Sequence, residues 1–433
     1  PRFSRAACAP PLAAALLRAL GPELLCLPAG LCPLLAAQER RAWQAFVAAL
    51  PLEPPPLQPA ASAGGRGVVL IGGRHHHASG NATYYTLDAL LALAALRWSG
   101  CRLPVEIWHD HDRALLGPRA AEIAEALGGA AGAVALRDVW ALEGGRAVRG
   151  YGMATFVLRH SAFDEVLYLD ADNLAVADPT PLFEDPGYLA TGTLLWADPG
   201  IIEPIPVFEV IDVQPGHWRK TDSAQMLVHR HRHRRALELA NWFCQRWERF
   251  FWKHPFYLNG DADLFLFAFL ALSAPVHVAD AAIDLIGNLL PSGTFCGHSF
   301  YVGHPSKPDS LLFAHRTMSK LSMFADELRS EARQRYTPGV TGFGAAPPEC
   351  PRPGHSFHGG FEVPCLHMYR GPERALGVDE GPATRADLAR LAALERELLG
   401  LRGQLASGAG EGLRAAWWRP LAEHLSASAA AAA

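Results

Sequence analysis

Glu165-Val166-Leu167-Tyr168-Leu169-Asp170-Ala171-Asp172-Asn173 is the stretch on which the reading of this chain turns. Its short apolar run suits a strand buried on both faces better than a helix. The run passes without a break into two carboxylates one residue apart. In an open α/β sheet, ligands bind beyond the carboxyl ends of the strands, so Asp170 and Asp172 arrive at the ligand crevice. Where the strand loosens into a turn, both acids face one cation. Two hard oxygen donors suit Mg²⁺ or Mn²⁺, which bridges in turn to a diphosphate. A turn capped by Asp172 or Asn173 is the plainer use of the same residues. Placement directly after a buried strand favours metal–nucleotide binding.

Working outward, strand-like and helix-like segments alternate. Residues 68–71 form a short apolar run closed by Gly72-Gly73, and residues 84–98 carry helical periodicity through Leu87, Leu90, Leu91 and Leu96. A second strand at 105–108, a second helix at 119–127, a third strand at 134–136 and a helix at 153–160 complete the approach to 166–169. Such alternation indicates an α/β fold with a mostly parallel sheet. Gly72, Gly73 and Arg74 close the first strand, where glycine lets backbone N–H groups approach a phosphate. They match neither full phosphate-loop fingerprint.

The 433 residues allow two or three domains at about 150 residues each. Three composition zones divide the chain: a helical, Pro-rich flank (1–62), a catalytic zone (63–325) and a Gly/Pro/Ala-rich tail (326–433). The tail holds one helical pattern, Leu388, Leu391, Leu394, Leu398, Leu401 and Leu405, which reads as the cover of a domain flank. Basic and acidic residues number 39 and 43, a net charge of −4, which makes no electrostatic case for nucleic acid as a partner. Eight cysteines without a CxxC pair build neither a disulfide scaffold nor a zinc ribbon. Cys350 and Cys365 read as a loop-closing disulfide or two free thiols. The most apolar region, 6–37, is cut by prolines and charges and is no membrane span.

Beyond the local signals, the chain resembles a known family. Ser161-Ala-Phe163-Asp-Glu165 through Asn173, then Asp178-Pro179 and Leu182-Phe183, is similar to the fungal-type Golgi α-1,3-mannosyltransferases, the Mnn family. Gly192 to Trp196, Asp222-Ser-Ala-Gln225, Gly260-Asp261-Ala-Asp263-Leu-Phe265 and Phe313-Ala-His315-Arg316 follow in matching order, across roughly residues 66–320. The resemblance implies a GT-A fold, a Rossmann-like, mostly parallel sheet flanked by helices, here with helical N- and C-terminal extensions. It implies transfer of a hexose with retained configuration, from a nucleotide sugar such as GDP-mannose to a glycan or glycoprotein acceptor, with Mn²⁺ or Mg²⁺. It also implies a Golgi-lumenal, type II membrane protein, whose anchor is expected in the full-length protein and is absent from this chain.

Carried over by position, Asp170 and Asp172 are the metal and donor motif, with Asn173 beside them, and His315 is the third metal ligand. His304 is the runner-up. Asp222 and Asp261, then Asp263, are the candidate carboxylates near the reacting face. For Asp263 the competing use is charge complementarity at the start of an apolar helix, 264–272. One departure stands out. A lysine is expected in the helix before the Asp-x-Asp strand, yet Ala154 occupies the place, and only four lysines exist in the chain. Arg149 or Arg159 are the substitutes, although an arginine fork is not a lysine point charge.

The departure at Ala154 keeps a non-catalytic, glycan-binding or scaffolding relative as the alternative. A haloacid-dehalogenase-type phosphohydrolase, with Asp170 as nucleophile, fits less well, because its motif follows the first core strand. The remaining motifs have plainer uses. His75-His76-His77 cannot easily face one ion. His229 to Arg235 reads as the solvated start of a helix running to Trp252. Asn81-Ala-Thr83 is a glycosylation sequon or a helix cap.

Overall fold

The computed structural model describes residues 31–51, 65–72, 84–109, 133–142, 144–145, 148, 152–202, 207–214, 216, 218–246, 263–279, 283–289, 295–316, 321, 332–334, 342–344, 367–369, 378–379 and 381–406. In chain order the elements are α1 (Leu31–Ala49), β1 (Arg66–Ile71), α2 (Tyr84–Trp98), β2 (Val105–His109), β3 (Val134–Asp138), α3 (Gly152–His160), β4 (Glu165–Leu169) and β5 (Asn173–Ala175). Then come α4 (Pro186–Thr191), β6 (Thr193–Ile201), α5 (Val207–Ile211), β7 (Arg219–His229), α6 (Arg234–Gln245), α7 (Leu264–Ala271), β8 (His277–Ala279) and β9 (Ile283–Leu289). The last are β10 (Phe295–His304), β11 (Lys307–His315), β12 (Ala332–Gln334), β13 (Gly342–Gly344), β14 (His367–Tyr369), β15 (Val378–Asp379) and α8 (Pro382–Ala406).

Seven strands form the central sheet in the order β3-β2-β1-β4-β7-β6-β8. β3, β2, β1 and β4 are parallel, as are β6 and β8; only β7 runs against its neighbours. The mostly parallel α/β class expected from the strand–helix alternation is therefore present. A second sheet, β15-β12-β9-β10-β11-β5, is antiparallel among its pairs, and the alternation did not reveal it.

β4 is buried on both faces, as its sequence requires. Val166 and Tyr168 join a core with α1, α3, α5, α6 and α7, while Leu167 and Leu169 join a core with α2, the second sheet and α8. Period-two alternation of the strand thus divides one apolar run between two cores. Removal of each such side chain from water is worth about 1.5–3 kcal/mol. α7, whose eight residues are all apolar, lies within the first core, as a helix apolar on every side must. In α8, Leu388, Leu391, Leu394, Leu398 and Leu401 are buried in the second core. At the other end of the chain, Trp43 of α1 donates its indole N–H to the Val210 carbonyl at 2.8 Å.

The basic tract needs a correction. Residues 230–233 form a turn and α6 starts only at Arg234, so the tract is not a solvated helix start. Arg230 is buried and donates to the Leu158, Arg159 and Phe163 carbonyls at 2.6, 2.7 and 2.7 Å, and also to the Ser161 carbonyl. It thereby satisfies carbonyls that the end of α3 leaves without helical partners. His231 meets Asp164 at 2.7 Å. Burial pushes His233 down to about 4, so at neutral pH it is uncharged, and its Nε2 lies 2.7 Å from the Thr191 carbonyl. These side chains tie the turn to its neighbours and make no patch for nucleic acid.

Candidate metal and donor site

The acid pair stands where the chain leaves the first sheet for the second. The Asp170 amide extends the β4–β7 ladder by donating to the Ala224 carbonyl at 2.8 Å. The Asn173 amide then closes a turn on the Asp170 carbonyl at 3.0 Å. β5 begins at once and pairs with β11, placing His315 opposite Asn173. One step further, the Arg316 amide donates to the Asp172 carbonyl at 2.8 Å. A histidine more than a hundred residues downstream is thus held beside the two acids by backbone pairing.

Ligand atoms of Asp170, Asp172 and His315 all lie within 4.8 Å of one another. His315 Nε2 is 3.8 Å from Asp172 Oδ1, and Nδ1 is 3.1 Å from Asp222 Oδ2. An ionised Asp222 only accepts, so Nδ1 carries the proton toward it and Nε2 is left toward the acids. Two carboxylates and one imidazole nitrogen suit Mn²⁺, and also Mg²⁺ where water completes the shell. The residues fit a divalent ion. His304 does not belong to the group. It stands at the hairpin turn beside Lys307, roughly 26 Å of strand away from His315.

Burial opposes charge on His315, but the carboxylates of Asp222, Asp172 and Asp170 outweigh it and hold the imidazole up at about 9. Burial would likewise raise Asp222, yet the charge and hydrogen bond of His315, with the Ala224 amide and Gln225, keep it below the ordinary range. The imidazole therefore carries a proton at neutral pH, and a cation held by Nε2 would take the place of the proton there.

Asp222, expected as a carboxylate near the reacting face, is buried with both oxygens in hydrogen bonds. Oδ1 accepts from the Ala224 amide at 3.1 Å, and Oδ2 accepts from Gln225 Nε2 at 3.0 Å and from His315. It is a buried positioning residue. A bulge makes this possible: Leu195 of β6 pairs with Met226 but Trp196 with Asp222, so β7 spends extra residues there. On a regular strand Asp222 and Gln225, three apart, would point to opposite faces; the bulge brings them together. Asn173 also serves the scaffold, with its Nδ2 donating to the Ala224 carbonyl at 3.0 Å and to Gln225 Oε1 at 2.6 Å. Its amide nitrogen is thus engaged inside the protein.

Asp263 does not cap α7 with its side chain. Instead its Oδ1 accepts the Thr221 amide at 2.8 Å, which pins the backbone next to Asp222. Burial, with Asp198 adding to it, pushes Asp263 up to about 7. Asp261, Gly73, Arg74, Arg149, His75 to His77, Asn81, Cys350, Cys365 and the helix expected at 119–127 lie outside the described residues. Gly72 ends β1 and donates its amide to the Trp108 carbonyl at 2.8 Å. Because Leu70 pairs with Leu169, Gly72 stands at the same carboxyl edge as the acids, one strand over.

Ala154, where a lysine was expected, is buried in the first core. Arg159 pairs with Glu238 of α6 at 2.8 Å. Two contributors escaped the sequence reading. Tyr168 donates its hydroxyl to Asp170 Oδ1, and Gln225 links Asn173 to Asp222. Tyr168 had a signal: two residues before Asp170, it shares that residue's face of the strand.

A mostly parallel α/β sheet whose acid pair meets a histidine from a second sheet forms a candidate divalent-metal site at the carboxyl edge of its strands. Residues 65–205 match the family model described as "Mannosyltransferase putative". That span runs from β1 to β6 and contains Asp170 and Asp172, but ends before Asp222 and His315. No curated protein matches the chain. Among solved structures, the chain is similar to the glycosyltransferase GlyE of Streptococcus pneumoniae TIGR4, at 17% identity and TM-score 0.33 over 50% of this chain and 45% of that one. It is similar to mouse xyloside xylosyltransferase 1 at 14% identity and TM-score 0.32, over 50% of this chain and 85% of that one. The galactosyltransferase LgtC, in complex with donor and acceptor sugar analogs, follows at 16% identity and TM-score 0.33, over 49% and 73%. The chain therefore spans less than half the length of GlyE.

Proposed function

We propose that the protein is a metal-dependent, retaining glycosyltransferase that moves a hexose from a nucleotide sugar to a glycan or glycoprotein acceptor. The observation that carries this reading is the convergence of Asp170, Asp172 and His315 at the carboxyl edge of the sheet. Bound there, Mn²⁺ or Mg²⁺ would offset the charge that develops on a departing diphosphate. The chain's own part is to hold that ion and the phosphates. Asp222 keeps the Nδ1 proton of His315, so that Nε2 serves as the ligand atom. Tyr168 donates to Asp170 Oδ1 and orients the carboxylate toward the ion's place. Gly72, with Gly73 and Arg74, is assigned to the phosphates, and Asp261 to the reacting face.

The family match supports mannose as the sugar, and the sequence resemblance supports GDP-mannose as donor, α-1,3 as linkage and a Golgi-lumenal, type II protein. No helix among the described residues is long and apolar enough to cross a membrane. The scaffold alternative draws on Ala154, the alanine that stands where a lysine is expected. A thermal-shift screen of nucleotide sugars with Mn²⁺ tests the reading, since a ligand of the native state raises its Tm. GDP-mannose is expected to give the largest shift, with release of GDP on addition of acceptor glycan. Asp170→Ala and Asp172→Ala are expected to abolish both. Normal turnover in either variant, or full activity in excess chelator, overturns the metal site. Glycan binding without any donor binding restores the scaffold.

A further inference from the structure

α8 reaches the candidate site through a buried ion pair. Arg316 Nη1 bonds Glu395 Oε1 on α8, and both side chains are buried, at 1% and 7% exposure. Arg316 also belongs to the backbone of the site. It follows His315 in the chain, and its amide holds the Asp172 carbonyl at 2.8 Å. A single residue thus ties two of the three candidate ligands together by its backbone, while its side chain is anchored in a helix some eighty residues downstream.

We propose that Glu395 is a positioning residue of the metal site, acting through Arg316 on His315 and Asp172; this rests on the metal-dependent reading above. The physical reason is the geometry of a strand end. β11 ends at His315, and the Arg316 amide carries the pairing with the acid turn one step further, to the Asp172 carbonyl. A guanidinium bonded to a buried carboxylate braces that step, because a charge-assisted bond in a dry setting fixes direction as well as distance. α8 is a firm anchor. Leu391, Leu398 and Leu401 are buried in the core that also holds Leu174 and Phe313 of β5 and β11. Further along, Asp387 Oδ2 accepts from the Tyr301 hydroxyl at 2.8 Å and the Leu311 amide at 2.7 Å. Asp387 therefore docks α8 at a distance from the acids, and Glu395 docks it next to them.

That difference supplies the control. Mn²⁺ is titrated calorimetrically into the full chain and into Glu395→Gln and Asp387→Asn, well below each variant's Tm. Both substitutions loosen α8 and are expected to lower Tm. Glu395→Gln is expected to weaken Mn²⁺ binding about tenfold, the lower end for outer-shell partners of metal ligands. Asp387→Asn is expected to bind Mn²⁺ as the unmodified chain does. Equal affinity in Glu395→Gln and the unmodified chain overturns the inference, and so does an equal loss in both variants, which would reflect general loosening. If Glu395→Gln does not fold, the paired change Glu395→Leu with Arg316→Met removes the bond without leaving a buried charge. Unaltered Mn²⁺ affinity in that pair then overturns the inference. Absence of Mn²⁺ binding by the unmodified chain removes the metal-dependent reading itself and this inference with it. That result is distinct from an effect confined to position 395.

Discussion

Asp222→Asn tests whether His315 is held as a ligand by its second nitrogen. Three donors converge on the carboxylate: the Ala224 amide on Oδ1, and Gln225 Nε2 with His315 Nδ1 on Oδ2. An amide has one oxygen. Its best orientation puts that oxygen at the Oδ2 position, which keeps His315 and Gln225 but turns an NH₂ toward the Ala224 N–H, 3.1 Å away in the parent. One buried donor then goes without an acceptor, at about 1–3 kcal/mol of stability. The charge facing His315 is lost as well, which makes the imidazole a weaker ligand. Outer-shell partners of metal-bound histidines are worth about 10–100-fold in affinity, or roughly 1.4–2.8 kcal/mol at 1.4 kcal/mol per tenfold. Because the Asn keeps the ring orientation, about tenfold is expected. Asp222→Leu, which loses both acceptor oxygens and all three hydrogen bonds, is expected to approach a hundredfold. Calorimetric titration of Mn²⁺ into each folded variant measures this. Undiminished affinity in both would show that Asp222 does not orient His315.

Two further outcomes follow from buried polar groups away from the ion. Between about pH 4 and 7 the native protein holds a proton on Asp263 that the unfolded chain releases, because burial raises this carboxyl from 3.8 to about 7. Its contribution to stability is therefore full below pH 4 and lost as pH rises through 7. Asp263→Asn keeps an oxygen for the Thr221 amide and cannot ionise. Its stability relative to the parent is expected to climb across that window, by about 4 kcal/mol at most, in urea melts at pH 4 to 8. A constant difference at every pH would contradict the buried-acid account. Arg230→Ala strips the carbonyls of residues 158, 159, 161 and 163 of their shared donor. A loss of about 3 kcal/mol or more is expected at roughly 1 kcal/mol per bond, read as a lower Tm. A change within 0.5 kcal/mol would show that water takes over those carbonyls.

What the sequence disclosed and what it withheld divide by range. The acid pair was legible because a strand and the turn after it are local: Val166 to Leu169 bury both faces, and the acids follow within three residues. Tyr84–Trp98 and the leucines of α8 were legible through their periodicity. The contacts of Asp222 and Asn173 with Gln225 were not legible, because the β7 bulge that turns Asp222 and Gln225 to one side leaves no pattern in the alternation of apolar and polar residues. The basic tract misled for a related reason. Arginine is normally solvated, and only the exposed carbonyls at the end of α3 make Arg230 a buried residue.

By itself the sequence determined a mostly parallel α/β sheet and the two carboxylates at its edge, since both depend on residues next to one another. It also put forward His315, through an ordered series of motifs. Only the tertiary structure decided that His315 meets the acids, that Asp222 bonds the histidine, and that Glu395 on α8 pairs with Arg316. Those contacts depend on strand register across a second sheet and on the docking of α8. Register and docking are fixed by how distant faces pack, a property that no local stretch of chain carries.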